Sequence, residues 1–250
     1  MILPRRDFIS TVSMAATGTC LHAPRLWNSV APWGDSPHQC ALLNLGDDCV
    51  LPESLLGYQR ALTATPWRLA QFEDAKLPAC RNVIVPAAGC LSEFTAERIL
   101  RCLNGGTNVL LESAAGFGDS SRFAGQQRIL RDYFDVIIEP PINLWSPQRD
   151  CNSITQNLDG RVESFVDHRA PYIDYVWPAI LSLRDFSKVI PIRAAQSEVI
   201  AHCDSQPVAV KKALAQSTLV FLGSPLGPGL HAGEPEAHSL LRLLISSVPV

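Results

Sequence analysis

The sequence lacks several patterns that mark enzyme and cofactor classes. It contains neither a Walker phosphate loop nor a G-x-G-x-x-G turn, so nucleotide binding has no support. H-E-x-x-H and C-x-x-C pairs are also missing, so a zinc protease, a zinc ribbon and a thioredoxin-type redox site are not indicated. From these absences we expect no metal site and no cofactor.

The sequence also has little charge imbalance and no long apolar run. Its 21 basic and 24 acidic residues give a formal net charge of -3, with no basic block, so a nucleic-acid partner is not expected. No apolar run reaches the roughly 18 residues that a membrane-spanning helix needs. We therefore expect no stable membrane span after leader cleavage. A chain that is 47% hydrophobic and 18% charged is typical of a globular domain.

The N-terminus has the layout of an export signal. Arg5 and Arg6 precede Phe8, a weakly apolar stretch and small residues. This order resembles the twin-arginine consensus and predicts a signal peptide over residues 1–23. We therefore expect a periplasmic or extracellular protein that meets the twin-arginine translocase during export.

A spacer and one domain are predicted to follow the leader. Residues 24–37 are rich in Pro, Trp, Gly and Ser, which is typical of a linker, so the domain is predicted over 38–250. Lipoprotein anchoring at Cys20 is a less favoured alternative, because Thr17 stands where an apolar residue is expected. Removal of a leader containing Cys20 leaves seven of the eight cysteines, so at least one stays free or pairs between chains.

Short apolar runs alternate with helical patterns along the first half of the chain. The predicted strands are Cys40–Leu45, Trp67–Phe72, Asn82–Pro86 and Asn108–Leu111, and the predicted helices are Pro52–Thr63, Ser92–Asn104 and Ser121–Phe134. Three further runs predict a late β-meander before a last helix: Val199–Ala201, Val208–Lys212, Thr218–Leu222 and the helix Glu234–Leu244. The expected fold class is α/β: a three-layer sandwich with a flavodoxin-like, mostly parallel sheet.

Three segments carry a family resemblance. Residues 83–89, 105–117 and 209–225 resemble the strand-and-loop units of the class I glutamine amidotransferase-like superfamily, and the likeness covers about residues 40–245. In that superfamily the second unit ends in a G-x-C-x-G nucleophile elbow. On this alignment Ala114 stands at the catalytic cysteine and Ser224 stands near the expected histidine. The resemblance therefore implies the non-catalytic branch and no glutaminase activity.

The resemblance implies a function as well as a fold. We expect an exported non-catalytic amidotransferase-like domain, a pseudoenzyme that acts as a binding or scaffolding module in carbohydrate metabolism. Two alternatives stay open. One is an extracytoplasmic hydrolase with Ser113 or Cys90 as nucleophile, and the other is a subunit that supports a larger exported carbohydrate-active assembly.

The candidate catalytic residues each have a structural alternative. Ser113 lies in the predicted elbow, and His231, with the nearby Glu234 and His238, offers a base and an orienting acid. Cys90 lies at a predicted helix start, where the helix dipole lowers a thiol pKa. The alternatives are that Ser113 caps a helix, that Cys90 is a buried structural cysteine and that the histidines are surface residues.

The candidate ligand-binding residues lie in two places. Glu112 is in the predicted elbow turn, and an aromatic and charged cluster lies in the crossing segment: His168, Tyr172, Asp174, Tyr175 and Trp177. Aromatic faces among a few polar groups suit sugars or peptides, so this cluster predicts a cleft for a ligand such as a carbohydrate. The alternative is a packed lid over the sheet.

Overall fold

A computed structural model of the protein describes residues 40–46, 51–63, 67–71, 80–143, 172–184, 188–193 and 197–246. The predicted leader 1–23, the spacer 24–37, Cys20 and His168 lie outside these ranges. All described residues belong to one compact unit, residues 37–250.

The first half of the chain alternates strands and helices as its apolar periodicity predicts. Its elements are β1 Cys40–Asn44, α1 Pro52–Ala61, β2 Trp67–Gln71, β3 Asn82–Ala88, α2 Glu93–Asn104, β4 Asn108–Ser113 and α3 Phe123–Phe134. Every residue of β3 and β4 is buried, as expected for parallel strands covered on both faces. Ser92 caps α2 by accepting a hydrogen bond from the Thr95 backbone N–H at 3.1 Å.

The second half is mostly β-structure. Its strands are β5 Ile137–Ile138, β6 Ile142–Asn143, β7 Tyr172–Tyr175, β8 Leu181–Arg184, β9 Lys188–Val189, β10 Ile192–Arg193, β11 Glu198–Cys203, β12 Gln206–Ala213 and β13 Thr218–Leu222. Two helices follow, α4 Gly227–Ala232 and α5 Pro235–Ser246. The three runs predicted as a meander are β11, β12 and β13, so this part of the prediction is confirmed.

The described strands form one large mixed sheet and two small ribbons. The large sheet has nine strands in the order β2-β1-β3-β4-β13-β12-β11-β7-β8. Strands β2, β1, β3, β4 and β13 are parallel neighbours. From β13 to β8 every pairing is antiparallel.

The predicted fold class is therefore wrong. A flavodoxin-like, mostly parallel sheet in a three-layer sandwich was expected, whereas four of the eight strand pairings in the large sheet are antiparallel. The meander does not simply return to a parallel sheet, because β7 and β8 extend it outward by two more strands. The crossing segment gave no strand signal, because β7 and β8 are only four residues long and half of β7 is exposed.

Helices pack on both faces of the large sheet. One apolar cluster joins the sheet to α1, α4 and α5 through side chains such as Tyr58, Leu62, Leu230 and Leu240. A second cluster joins the other face to α2 and α3 through Ile99, Leu103, Leu130 and Phe134. Among the described helices, none has the length and apolar character needed to cross a membrane.

Candidate functional site

A buried carboxylate lies at the carboxyl end of β4. Glu112 is completely buried. Its Oε2 accepts hydrogen bonds from Ser54 Oγ at 2.9 Å and from the Ala87 backbone N–H at 3.1 Å. Its Oε1 accepts from Tyr58 Oη and from the Leu226 backbone N–H, the latter at 2.8 Å. These five residues, Ser54, Tyr58, Ala87, Glu112 and Leu226, are called the Glu112 cluster below.

The Glu112 cluster joins four parts of the fold. Ser54 and Tyr58 come from α1, Ala87 from the end of β3, and Leu226 from the residue before α4. Ala87 has φ +27°, a conformation that is unusual for a residue with a side chain, and its N–H bond to Glu112 stabilises it. The carboxylate thus fixes the helices of one layer to the carboxyl edge of the parallel strands.

Burial dominates the titration of the cluster. Desolvation raises the pKa of the Glu112 carboxyl above its ordinary value of 4.5, and the four hydrogen-bond donors partly offset this rise. Desolvation also raises the pKa of the Tyr58 phenol well above 10.0, and the neighbouring Glu112 adds to the increase. Tyr58 is therefore a protonated donor to Glu112 at neutral pH.

Two glycines allow α1 and α4 to approach each other closely. A Cβ on Gly57 would collide with the Gly227 carbonyl oxygen and lie 2.8 Å from the His231 backbone nitrogen. A Cβ on Gly227 would in turn collide with Ser54. This backbone contact brings Ser54 and Leu226 to the same carboxylate, so the cluster depends on glycine at both positions.

The candidate catalytic residues do not form a triad in the described part of the chain. Ser113 is fully buried, and its Oγ accepts from the Ala115 backbone N–H at 3.3 Å, so it stabilises its own turn. His231 is an exposed residue of α4. Cys90 is disulfide-bonded and therefore has no thiolate to attack a substrate.

The candidate ligand-binding residues of the crossing segment differ in their exposure to solvent. Tyr172 and Asp174 are exposed on β7, whereas Tyr175 is only 3% exposed and belongs to the core. Trp177 is half-buried, and the Lys211 ammonium lies 4.5 Å from its ring centroid. The segment is therefore neither a uniform cleft nor a uniform lid.

None of the partners of Glu112 was predicted from the sequence. Ser54 and Tyr58 precede it by 58 and 54 positions, and Tyr58 fits the apolar face of an amphipathic helix equally well. The Leu226 partner is a backbone N–H, which no side-chain pattern reveals. A signal was available in Gly57, since glycine inside a helix often marks a close backbone approach.

The protein is similar to known proteins in its three-dimensional structure. No protein-family model and no curated protein matches the sequence. The β-galactosidase from Bacillus circulans sp. alkalophilus has a TM-score of 0.56 and 14% identity, over 83% of this chain and 32% of that one. The exo-β-1,4-mannosidase Op5Man5 from Opitutaceae bacterium strain TAV5 has a TM-score of 0.53 and 9% identity, over 82% and 35%.

A third enzyme is similar to the same extent. The α-L-fucosidase isoenzyme 2 from Paenibacillus thiaminolyticus has a TM-score of 0.54 and 11% identity, over 82% of this chain and 32% of that one. This chain therefore spans about a third of the length of these enzymes. At such low identity the comparisons establish a shared fold.

The comparisons correct the family and the function expected from the sequence. These similar structures are glycoside hydrolases, so the identification with the class I glutamine amidotransferase-like superfamily is wrong. The expected non-catalytic amidotransferase-like module, or pseudoenzyme, is wrong with it. The alternative hydrolase with Ser113 or Cys90 as nucleophile is also wrong, since one side chain is buried in its turn and the other is oxidised.

Proposed function

We propose that this protein acts on carbohydrate as part of a glycoside-hydrolysing system. The observation that carries the proposal is the shared fold with a β-galactosidase, an exo-mannosidase and an α-L-fucosidase over four-fifths of this chain. These three enzymes differ in the sugar that they act on and in its linkage. What they share is a carbohydrate substrate, so the proposal is limited to that class.

The partial coverage adds a second element to the proposal. This chain spans about a third of each enzyme, so we place it in an assembly with further protein. Glycosidases use a pair of carboxyl groups that flank the scissile bond, about 5–10 Å apart. Glu112 does not fit that role, because it is fully enclosed and holds four internal donors.

Binding and hydrolysis by the full-length protein test this function. Thermal melts are recorded with methyl β-D-galactoside, methyl β-D-mannoside and methyl α-L-fucoside, and release of nitrophenol is measured from the matching nitrophenyl glycosides. A ligand at 100 times its Kd stabilises a protein by about 2.7 kcal/mol, which a melt detects readily. A saturable shift or measurable cleavage with one glycoside supports the proposal. No shift and no cleavage with any of them contradicts it.

We propose in addition that the protein is exported by the twin-arginine pathway and works in the periplasm or outside the cell. Arg5 and Arg6 ahead of a weakly apolar stretch support this proposal. The disulfide at Cys90 supports it independently, because disulfides persist in oxidising compartments and are rare in the cytosol.

A further inference from the structure

The antiparallel half of the large sheet carries a row of polar side chains on β11, β7 and β8. Two strands, β13 and β12, separate β11 from β4, which carries Glu112. The strand register pairs His202 of β11 with Asp174 of β7, and Asp174 with Ser182 of β8. Directly paired residues in an antiparallel ladder project from the same face of the sheet. The three side chains therefore lie side by side on adjacent strands, roughly 4.8 Å apart.

An aromatic side chain lies beside this row, along β7 from Asp174. Tyr172 stands two residues before Asp174 on β7, so the two-residue period of a strand places it on the same face. The intervening Ile173 points to the other face and is only 2% exposed, whereas Tyr172 is 45% exposed. Asp174 and Ser182 are also exposed, and His202 is half-buried. This face of the sheet is therefore open to a ligand.

The carboxylate in the row is already oriented. Ser182 Oγ donates a hydrogen bond to Asp174 Oδ1 at 2.6 Å. No donor from the described part of the chain contacts Oδ2 of Asp174, and a carboxylate has about four acceptor positions. The hydrogen bond from Ser182 thus fixes the Asp174 carboxylate in an orientation in which it can accept hydrogen bonds from two adjacent hydroxyl groups of a ligand.

Tyr172 suits sugar stacking better than Trp177, the larger aromatic residue nearby. The Trp177 ring already has the Lys211 ammonium at 4.5 Å and packs against the first apolar cluster. Tyr172 leaves nearly half of its surface to solvent. An exposed ring gives an apolar face with a polar tip, which matches a pyranose with its C–H face and hydroxyl edge.

We propose that Tyr172, Asp174, Ser182 and His202 form a binding site for a neutral sugar ring. Tyr172 is the stacking platform, and Asp174, held by Ser182, accepts from two adjacent hydroxyl groups. His202, on β11, lies on the other side of Asp174 from Ser182 and supplies a further hydrogen-bonding group. This site rests on the proposed function, because action on carbohydrate makes a ring of hydroxyl donors the expected ligand.

Isothermal titration of the full-length protein with the three methyl glycosides named above tests the site. The variants are Tyr172→Ala and Asp174→Asn, each of which removes one contact from an exposed position. Their matched controls are Phe94→Ala and Asp132→Asn, which change an exposed aromatic residue of α2 and an exposed aspartate of α3. Thermal melts establish that all four variants fold.

We expect the wild type to bind at least one glycoside and each site variant to bind it about tenfold more weakly, the effect of one lost charge-assisted or stacking contact. The affinities of the control variants should stay within about twofold of that of the wild type.

Binding that both site variants retain would overturn this site while leaving the proposed function intact. No binding by the wild type would overturn this site, and together with no cleavage of the nitrophenyl glycosides it would contradict the proposed function as well. Self-association that Tyr172→Ala abolishes, without sugar binding, would assign the face to a second copy of the chain and overturn the site.

Discussion

At the scale of single residues, Glu112 has the most demanding environment in the described chain. A fully buried carboxyl group is costly unless donors surround it, and here two side-chain hydroxyls and two backbone N–H groups do so. Each oxygen receives one hydroxyl and one N–H. An isosteric amide cannot reproduce that pattern, since one end of an amide is a donor.

Glu112→Gln should therefore destabilise the protein. The amide NH₂ must face either Ala87 N–H or Leu226 N–H, and neither backbone donor can rotate away. One unpaired buried donor costs about 1–3 kcal/mol of unfolding free energy. Urea unfolding measures the loss, with the exposed Glu97→Gln of α2 as the matched control. Equal stability of the two variants would show that the four hydrogen bonds contribute little.

The raised pKa of Glu112 predicts a pH dependence of stability. Because the folded pKa lies above 4.5, the folded protein keeps a proton that the unfolded chain has released. The stabilisation is fully present below pH 4.5 and is lost as pH rises through the folded pKa. The difference in unfolding free energy between wild type and Glu112→Gln should change with pH above 4.5. A constant difference across that range would contradict the raised pKa.

At the scale of elements, the contact between α1 and α4 depends on the absence of side chains. A methyl group at Gly57 meets the backbone of α4, which can yield only if the helices separate. Separation would also withdraw Ser54 and Leu226 from Glu112. The close approach and the buried carboxylate therefore stabilise the same arrangement.

Gly57→Ala and Gly125→Ala should change stability in opposite directions. Both residues lie inside helices, α1 and α3, where alanine is favoured over glycine by about 0.5–1 kcal/mol. A Cβ at Gly125 has no atom within 4 Å, so this variant should gain that stability. Gly57→Ala should lose at least about 2 kcal/mol, as overpacked cores do. Thermal melts measure the stability of both variants. A Gly57→Ala variant as stable as Gly125→Ala would contradict the close contact between α1 and α4.

Elements with continuous apolar runs or clear caps could be predicted from the sequence. The prediction for β1, β3 and β4 is confirmed, because parallel strands buried on both faces leave an unbroken apolar run. The strands β7 and β8 could not be predicted, since strands of four residues carry too little periodicity. Glu112 was recognised as a candidate ligand residue, but three of its four hydrogen-bond partners are more than 50 positions away, which no local pattern encodes.

At the scale of the whole molecule, the nine-stranded sheet separates two kinds of chemistry. Around β4, in its parallel half, Glu112 is enclosed and stabilises packing. In the antiparallel half, Asp174 and Tyr172 face solvent, where contact with a ligand is open to them. This contrast explains why the buried Glu112 is a poor catalytic candidate and why the proposed sugar site lies on the antiparallel strands β7, β8 and β11.

Export of the molecule should depend on the arginine pair. Replacing both Arg5 and Arg6 with lysine removes the feature that defines the twin-arginine signal, so the precursor should accumulate in the cytoplasm. Cell fractionation measures this directly, and Arg25→Lys in the predicted spacer is a matched control that should leave export unchanged. The oxidation state of Cys90 gives an independent measurement, because a precursor held in the reducing cytosol should keep Cys90 as a thiol that reacts with maleimide. Undiminished export of the double variant, with Cys90 oxidised as in the wild type, would refute the assignment of the signal.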